Sequence, residues 1–151
     1  MQIKWTINKF DDLSAKVLYA IMQLRSEVFV VEQNCVYQDA DNKDQASYHL
    51  CGWLNNELVA YCRILPKGLA YDDYASIGRV VSSPKYRNTG FGKLLIAKAI
   101  ELTNNLYPNT KIKIGAQLYL KKFYQSFDFE QHGEGYLEDG IPHIPMLLKK
   151  S

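Results

Sequence analysis

Arg87, Gly90, Gly92 and Lys93 are the residues whose types and spacing point most directly to chemistry. They lie in Arg87-Asn88-Thr89-Gly90-Phe91-Gly92-Lys93. A short β-branched run at Ile77, Arg79, Val80 and Val81, ended by Pro84, precedes them, and a long run with apolar positions at helical spacing follows. Two glycines at the mouth of a helix let backbone approach a ligand closely. The first-turn N–H groups, with the positive end of the helix dipole, then form an anion site. Arg87 and Lys93 add positive charge on either side, so the predicted ligand is a phosphate or pyrophosphate.

Two well-known phosphate loops fail on residue type. A Walker loop needs Gly-x-x-x-x-Gly-Lys-Ser/Thr, but Arg87 stands at the first glycine and Leu94 at the Ser/Thr. The dinucleotide fingerprint Gly-x-Gly-x-x-Gly begins at Gly90-x-Gly92, but Leu95 replaces the third glycine and Glu101 lies too near to serve as the ribose-binding acid. What remains, Arg-x-x-Gly-x-Gly after a strand and opening a helix, resembles motif A of the GCN5-related N-acetyltransferase (GNAT) family. Lys113-Ile114-Gly115-Ala116-Gln117, then Leu118 to Phe129 with Phe123-Tyr124 and Asp128-Phe129, resembles the family's next strand, short helix and Gly-Phe, with Gln117 for its Asn and Asp128 for its Gly. Val31-Glu32-Gln33, Tyr37-Gln38-Asp39 and Asp139-Gly140-Ile141-Pro142-His143 look closest to the ElaA-like branch.

The resemblance covers nearly the whole chain. It implies one α+β (mixed α/β) domain over 1–151, a central twisted and mostly antiparallel sheet flanked by helices. It also implies an N-acetyltransferase that moves the acetyl group of acetyl-CoA, as co-substrate, to a primary amine by direct transfer in a ternary complex. The acceptor would be a small-molecule or peptide amine, and the protein a homodimer. In the family, residues matching Arg87, Asn88, Thr89, Gly90, Phe91, Gly92 and Lys93 hold the pyrophosphate. Backbone N–H groups matching Val80, Val81 and Ser82 polarise the thioester carbonyl, Gln117 meets the pantetheine arm or the helix start, and Tyr124 is the acid toward the departing sulfur.

The chemistry sets its own demands. A lysine-like amine, with a pKa near ~10.4, must lose a proton before attack, so a carboxylate or imidazole should face the cleft. Glu32, His49 and His143 are available, with Glu32 preferred because its segment resembles the acceptor wall. A phenol such as Tyr124 is protonated at neutral pH and can donate to a thiolate. No cysteine has a His partner at a motif spacing, so direct transfer is favoured over an acyl-enzyme. The alternatives are another acyl-CoA, or a CoA-binding regulatory module without catalysis.

The elements must position these groups. Ile3, Trp5 and Ile7 alternate as an edge strand. Asp11-Asp12-Leu13-Ser14 gives helix-start chemistry, and Val17, Ile21, Leu24 and Val28 form the apolar stripe of a helix from about Leu13 to Phe29. Asp39, Asp41 and Asp44 read as a solvated loop, since Asp44 stands where a calcium loop needs Gly and Leu50 where it needs Glu. Tyr48 to Leu54 and Leu58 to Leu65 form a hairpin through Asn55-Asn56-Glu57. A helix from Gly90 to Pro108, a strand at 111–116, a short helix at 118–126, and strands at 129–136 and 143–149 complete the order.

Composition bounds the rest. A chain of 151 residues buries roughly two-thirds of its unfolded surface as one domain. An apolar share of 47% and a net charge of +2 give no sign of nucleic acid or membrane binding. Cys35, Cys51 and Cys62 are odd in number and lie in or beside apolar runs, which predicts buried free thiols in a reducing compartment. With no signal-like N-terminus, the expected location is the cytoplasm, and no metal is expected.

Overall fold

The computed structural model describes residues 2–149. Strands β2 (Tyr48–Leu54) and β3 (Glu57–Leu65) form its central hairpin. Leu54 pairs with Glu57 across Asn55 and Asn56, both at positive φ (50° and 66°), as a two-residue turn matching strand twist requires. β1 (Lys4–Lys9) and β4 (Ser76–Ser82) flank them, giving an antiparallel sheet in the order β1-β2-β3-β4. Nearly all of β3 is buried because helices cover both faces of this sheet.

Helix α1 (Ala15–Arg25) covers one face. Ser14 caps it, accepting from the Val17 amide at 3.2 Å. Its stripe of Ile21 and Leu24, with Val28 beyond, packs on Cys51, Leu58, Tyr61 and Val81. Ser14 is thus the cap, and Asp11 and Asp12 lie in a separate helical turn. The expected helix to Phe29 changes character at Ser26, where Ser26–Glu32 winds as a π-helix with the Gln33 amide reaching the Val28 carbonyl.

Helix α2 (Phe91–Leu106) covers the other face and also underlies a second sheet. There β5 (Lys113–Gln117) pairs with β8 (Ile141–Leu148), whose other edge carries β6 (Phe129–Gln131) and β7 (Tyr136–Glu138). The strand expected over 129–136 is therefore two, with Gly133 at φ 128° between them, and β8 begins two residues earlier than expected. A short helix α3 (Lys121–Gln125) connects β5 to β6, preceded by a tight turn at Leu118–Leu120. Asp128, in the place of the expected glycine, adopts φ 73°.

The two sheets meet at Ala75. Its amide donates to the Lys111 carbonyl at 3.0 Å, and its carbonyl accepts from the Lys113 amide at 2.9 Å. Past this bridge β4 and β5 share no ladder among the described residues, and the one sheet expected is two splayed sheets. Beneath the splay the core is continuous, Ala60, Cys62 and Ile77 of one sheet meeting Ile114, Ala116 and Met146 of the other over Leu95 and Ala99.

Candidate active site

The splay opens a cleft of about 470 Å³. Ile77 to Val80 of β4 form one side and Ile114 to Gln117 of β5 the other; Phe29, Gln33, Tyr37, Glu138, Asp139 and His143 complete the lining. The wider π turn sets Phe29 and Gln33 on this wall while Val28 stays in the core. At Gly115 the Tyr136 hydroxyl occupies the space a Cβ would take, so a side chain there would displace the Tyr136 ring.

Irregularity in β4 aims its backbone into the gap. Tyr61 pairs with Val81 and Arg63 with Gly78, so Arg79 and Val80 together oppose Cys62 in a bulge, with Arg79 at φ 48°. One step on, the Ser83 amide donates to the Val59 carbonyl at 2.8 Å. Alternation along the strand then turns the Ser82 N–H and C=O away from β3, toward the side where no strand pairs. Val80 lines the cleft, and the Val81 side chain packs under α1.

Where β4 leads into α2, Gly90 sits at φ 87° and space for a Cβ is open. No side chain caps this helix end, and the first bond back to the loop is from the Leu94 amide to Gly90. The amides of Phe91, Gly92 and Lys93 therefore lack partners among the described residues, as an anion site requires. Phe91 contributes through backbone alone, because its ring is buried against Leu54 and Val59. Asn88 has φ 64°, and the Thr89 hydroxyl donates to the Tyr86 carbonyl. Arg87 makes a two-pronged ion pair with Glu32 at 2.6 and 2.8 Å.

That pair changes the view of Glu32. Its carboxylate is taken by Arg87, and it is not among the residues lining the cleft. His49 is equally committed. It is fully buried, its Nε2 donating to the Asp44 carbonyl at 2.9 Å and its Nδ1 accepting from the Tyr61 hydroxyl at 2.7 Å, and burial lowers its pKa. His143 does line the cleft. Its Nδ1 lies 2.7 Å from the Ile141 carbonyl, which can only accept, so Nδ1 carries a proton and Nε2 is the basic nitrogen. The Glu138 carboxylate stands 3.6 Å from Nε2, and Tyr136 stacks on the ring.

Tyr124 also reaches the cleft. Phe123 and Phe129 hold its ring edge-on, and it is 6% exposed. Its hydroxyl has no partner among the described residues, and burial pushes the phenol well above its usual pKa, so it stays protonated at neutral pH. Gln117 faces Gln33 with their amides 3.4 Å apart. Cys35, Cys51 and Cys62 are free and buried. No group of metal-binding side chains gathers among the described residues, and no described helix is long and apolar enough to cross a membrane.

Asp39, Asp41 and Asp44 correct the expectation of a solvated loop. Asp44 accepts from Arg25 at 2.7 Å and from Arg63 at 2.9 Å. Asp41 takes two bonds from Arg63, at 2.8 and 2.6 Å, and Asp39 bonds Arg25 and Arg79, each at 2.8 Å. Arg25 is fully buried. Burial pushes the Asp41 and Asp44 carboxyls up, but bonds and charge from Arg63, and for Asp44 also Arg25, hold both below the ordinary range.

The family model described as "Acetyltransferase (GNAT) domain" matches residues 13–150. The chain belongs to the GNAT family. Within it the ElaA-like branch fits: Protein ElaA of Escherichia coli is 46% identical over 148 residues, 95% of each chain. The crystal structure of E. coli ElaA superposes with a TM-score of 0.90 at 44% identity, over 98% of this chain and 100% of that one. An acyl-CoA N-acyltransferase from Pseudomonas aeruginosa does so with a TM-score of 0.91 at 40% identity, over 97% and 99%. The GNAT fold expected from motif A is thus present. Arg79, Glu138 and the Arg–Asp network escaped sequence reasoning, because partners far apart in the chain leave no local pattern.

Proposed function

We propose that this GNAT protein is an acetyl-CoA-dependent N-acetyltransferase acting on a primary amine by direct transfer. The carrying observation is the unpartnered, protonated Tyr124 hydroxyl, buried at the cleft into which the bulged β4 turns its backbone. The free amides of Phe91, Gly92 and Lys93, open space at Gly90 and the nearby Arg87 suit the pyrophosphate of acetyl-CoA. Arg87 would exchange Glu32 for phosphate oxygens.

In this reading the Ser82 N–H donates to the thioester oxygen, a preorganised contact of the kind that contributes about 3 kcal/mol to a transition state. The amine proton passes to His143 Nε2, and Glu138 stabilises the imidazolium formed. The nitrogen–acyl bond forms as the carbon–sulfur bond breaks, and Tyr124 gives its proton to the departing thiolate. Glu32 serves as the resting partner of Arg87, leaving His143 as the base.

Calorimetric titration of acetyl-CoA tests the site. Gly92→Leu is the cleaner variant, because Gly90 at φ 87° would strain any side chain whereas a Cβ on Gly92 meets only the Phe123 ring at 3.9 Å. Expected are binding by the parent, loss in Gly92→Leu, and in Tyr124→Phe intact binding with kcat lowered about a hundredfold. No binding by the folded parent would sink the reading.

A further inference from the structure

Beyond the nucleotide, the acceptor end of the cleft has a definite chemistry. Asp39, Asp41 and Asp44 invite the idea of a site for a cationic group, but their oxygens are largely spent. Both Asp39 oxygens accept from guanidinium groups, one also from the Tyr37 hydroxyl. Both Asp41 oxygens accept from Arg63, one also from the Lys43 amide. Asp44 Oδ1 accepts from Arg25 and Arg63.

The surplus is in donors. Arg79 lines the cleft and uses Nε and Nη2 on Asp39 and Asp41, while its Nη1 has no partner among the described residues. Arg63 is 4% exposed, and its Nε is buried without an acceptor. Arg63 does not line the cleft and its Nε is closed off from it, so Arg79 Nη1 is the guanidinium donor left for a ligand, and an acceptor there would complete its bonding.

We propose that the acceptor is an amine carrying a carboxylate, which Arg79 Nη1 binds at the Gly78–Arg79 bulge while the amino group faces His143. This rests on the transferase reading and narrows its substrate class. A fixed guanidinium donor matches a carboxylate oxygen better than a neutral carbonyl, and anions gain most in a water-poor cleft. Glu138, which stands beside His143, suits the ammonium form in which such an amine arrives.

The test measures CoA-thiol release by the purified protein with acetyl-CoA and matched acceptors: amino acids of increasing chain length, their carboxamides, and diamines of equal length. Expected is a kcat/KM for the best carboxylate-bearing amine on the order of a hundredfold above its carboxamide. Arg79→Lys, which keeps the charge but loses the fork, should raise KM for that acceptor about tenfold and leave KM for acetyl-CoA unchanged. Turnover that favours diamines or ignores the carboxylate overturns this inference and leaves the transferase intact. Binding of acetyl-CoA with no turnover of any amine overturns both.

Discussion

Asp41 and Asp44 each meet Arg63, and Asp44 also meets the fully buried Arg25, so their ionisation is tied to folding. Both carboxyls titrate below their ordinary 3.8 in the folded state. The stability they contribute is therefore complete above about pH 4 and is lost as pH falls from there toward the folded values. Within that window each group steepens the loss by up to about 1.4 kcal/mol per pH unit. Urea denaturation at stepped pH should show Asp41→Asn less stable than the parent at pH 7 but with a shallower decline below pH 4. Equal slopes would mean that Asp41 is not coupled to folding. The sequence displays these aspartates as a polar stretch because Arg25, Arg63 and Arg79 lie up to 40 positions away. Gly90 and Tyr124 could be singled out as candidates because the features that mark them are local, a helix mouth and an aromatic pair before Asp128-Phe129.

Elements whose geometry is set by a few adjacent residues were equally legible. The Asn55-Asn56 and Asp139-Gly140 turns carry the positive φ values that two-residue hairpins need, and Ser14 caps α1. The π-helical turn at Ser26–Glu32 was not, because a 3.6-residue period continues through Val28 and only the packing of Phe29 and Gln33 on the cleft distinguishes the wider winding. Asp128 joins α3 to β6 at φ 73°, its carbonyl accepting from the Lys149 amide at 3.0 Å. A left-handed backbone costs an ordinary side chain about 1 kcal/mol or more, which glycine avoids at some cost in unfolded-state entropy. In urea denaturation, Asp128→Ala should therefore lose about 1 kcal/mol and Asp128→Gly only a few tenths. Equal losses would place the effect in the side chain instead of the backbone.

At the scale of the molecule, function depends on two sheets that share a core below and separate above. One backbone bridge at Ala75 joins them in the hydrogen-bonding plane, and the edges of β4 and β5 beyond it stay unpaired among the described residues. A ligand that lies along this gap and ends on the α2 amides touches both sheets and the helix under them. Its binding energy is then available only to the assembled fold. At one hundred times its Kd, acetyl-CoA should add about 2.7 kcal/mol to the stability of the native state. For a domain of this size each kcal/mol is worth about 2–4 °C, so the melting temperature should rise by roughly 5–11 °C. Gly92→Leu should melt near the unliganded parent and show no rise. If acetyl-CoA bridges the sheets, amide exchange in β5 should slow along with that in the α2 first turn. Protection confined to α2 would show that the ligand engages the phosphate loop without spanning the cleft.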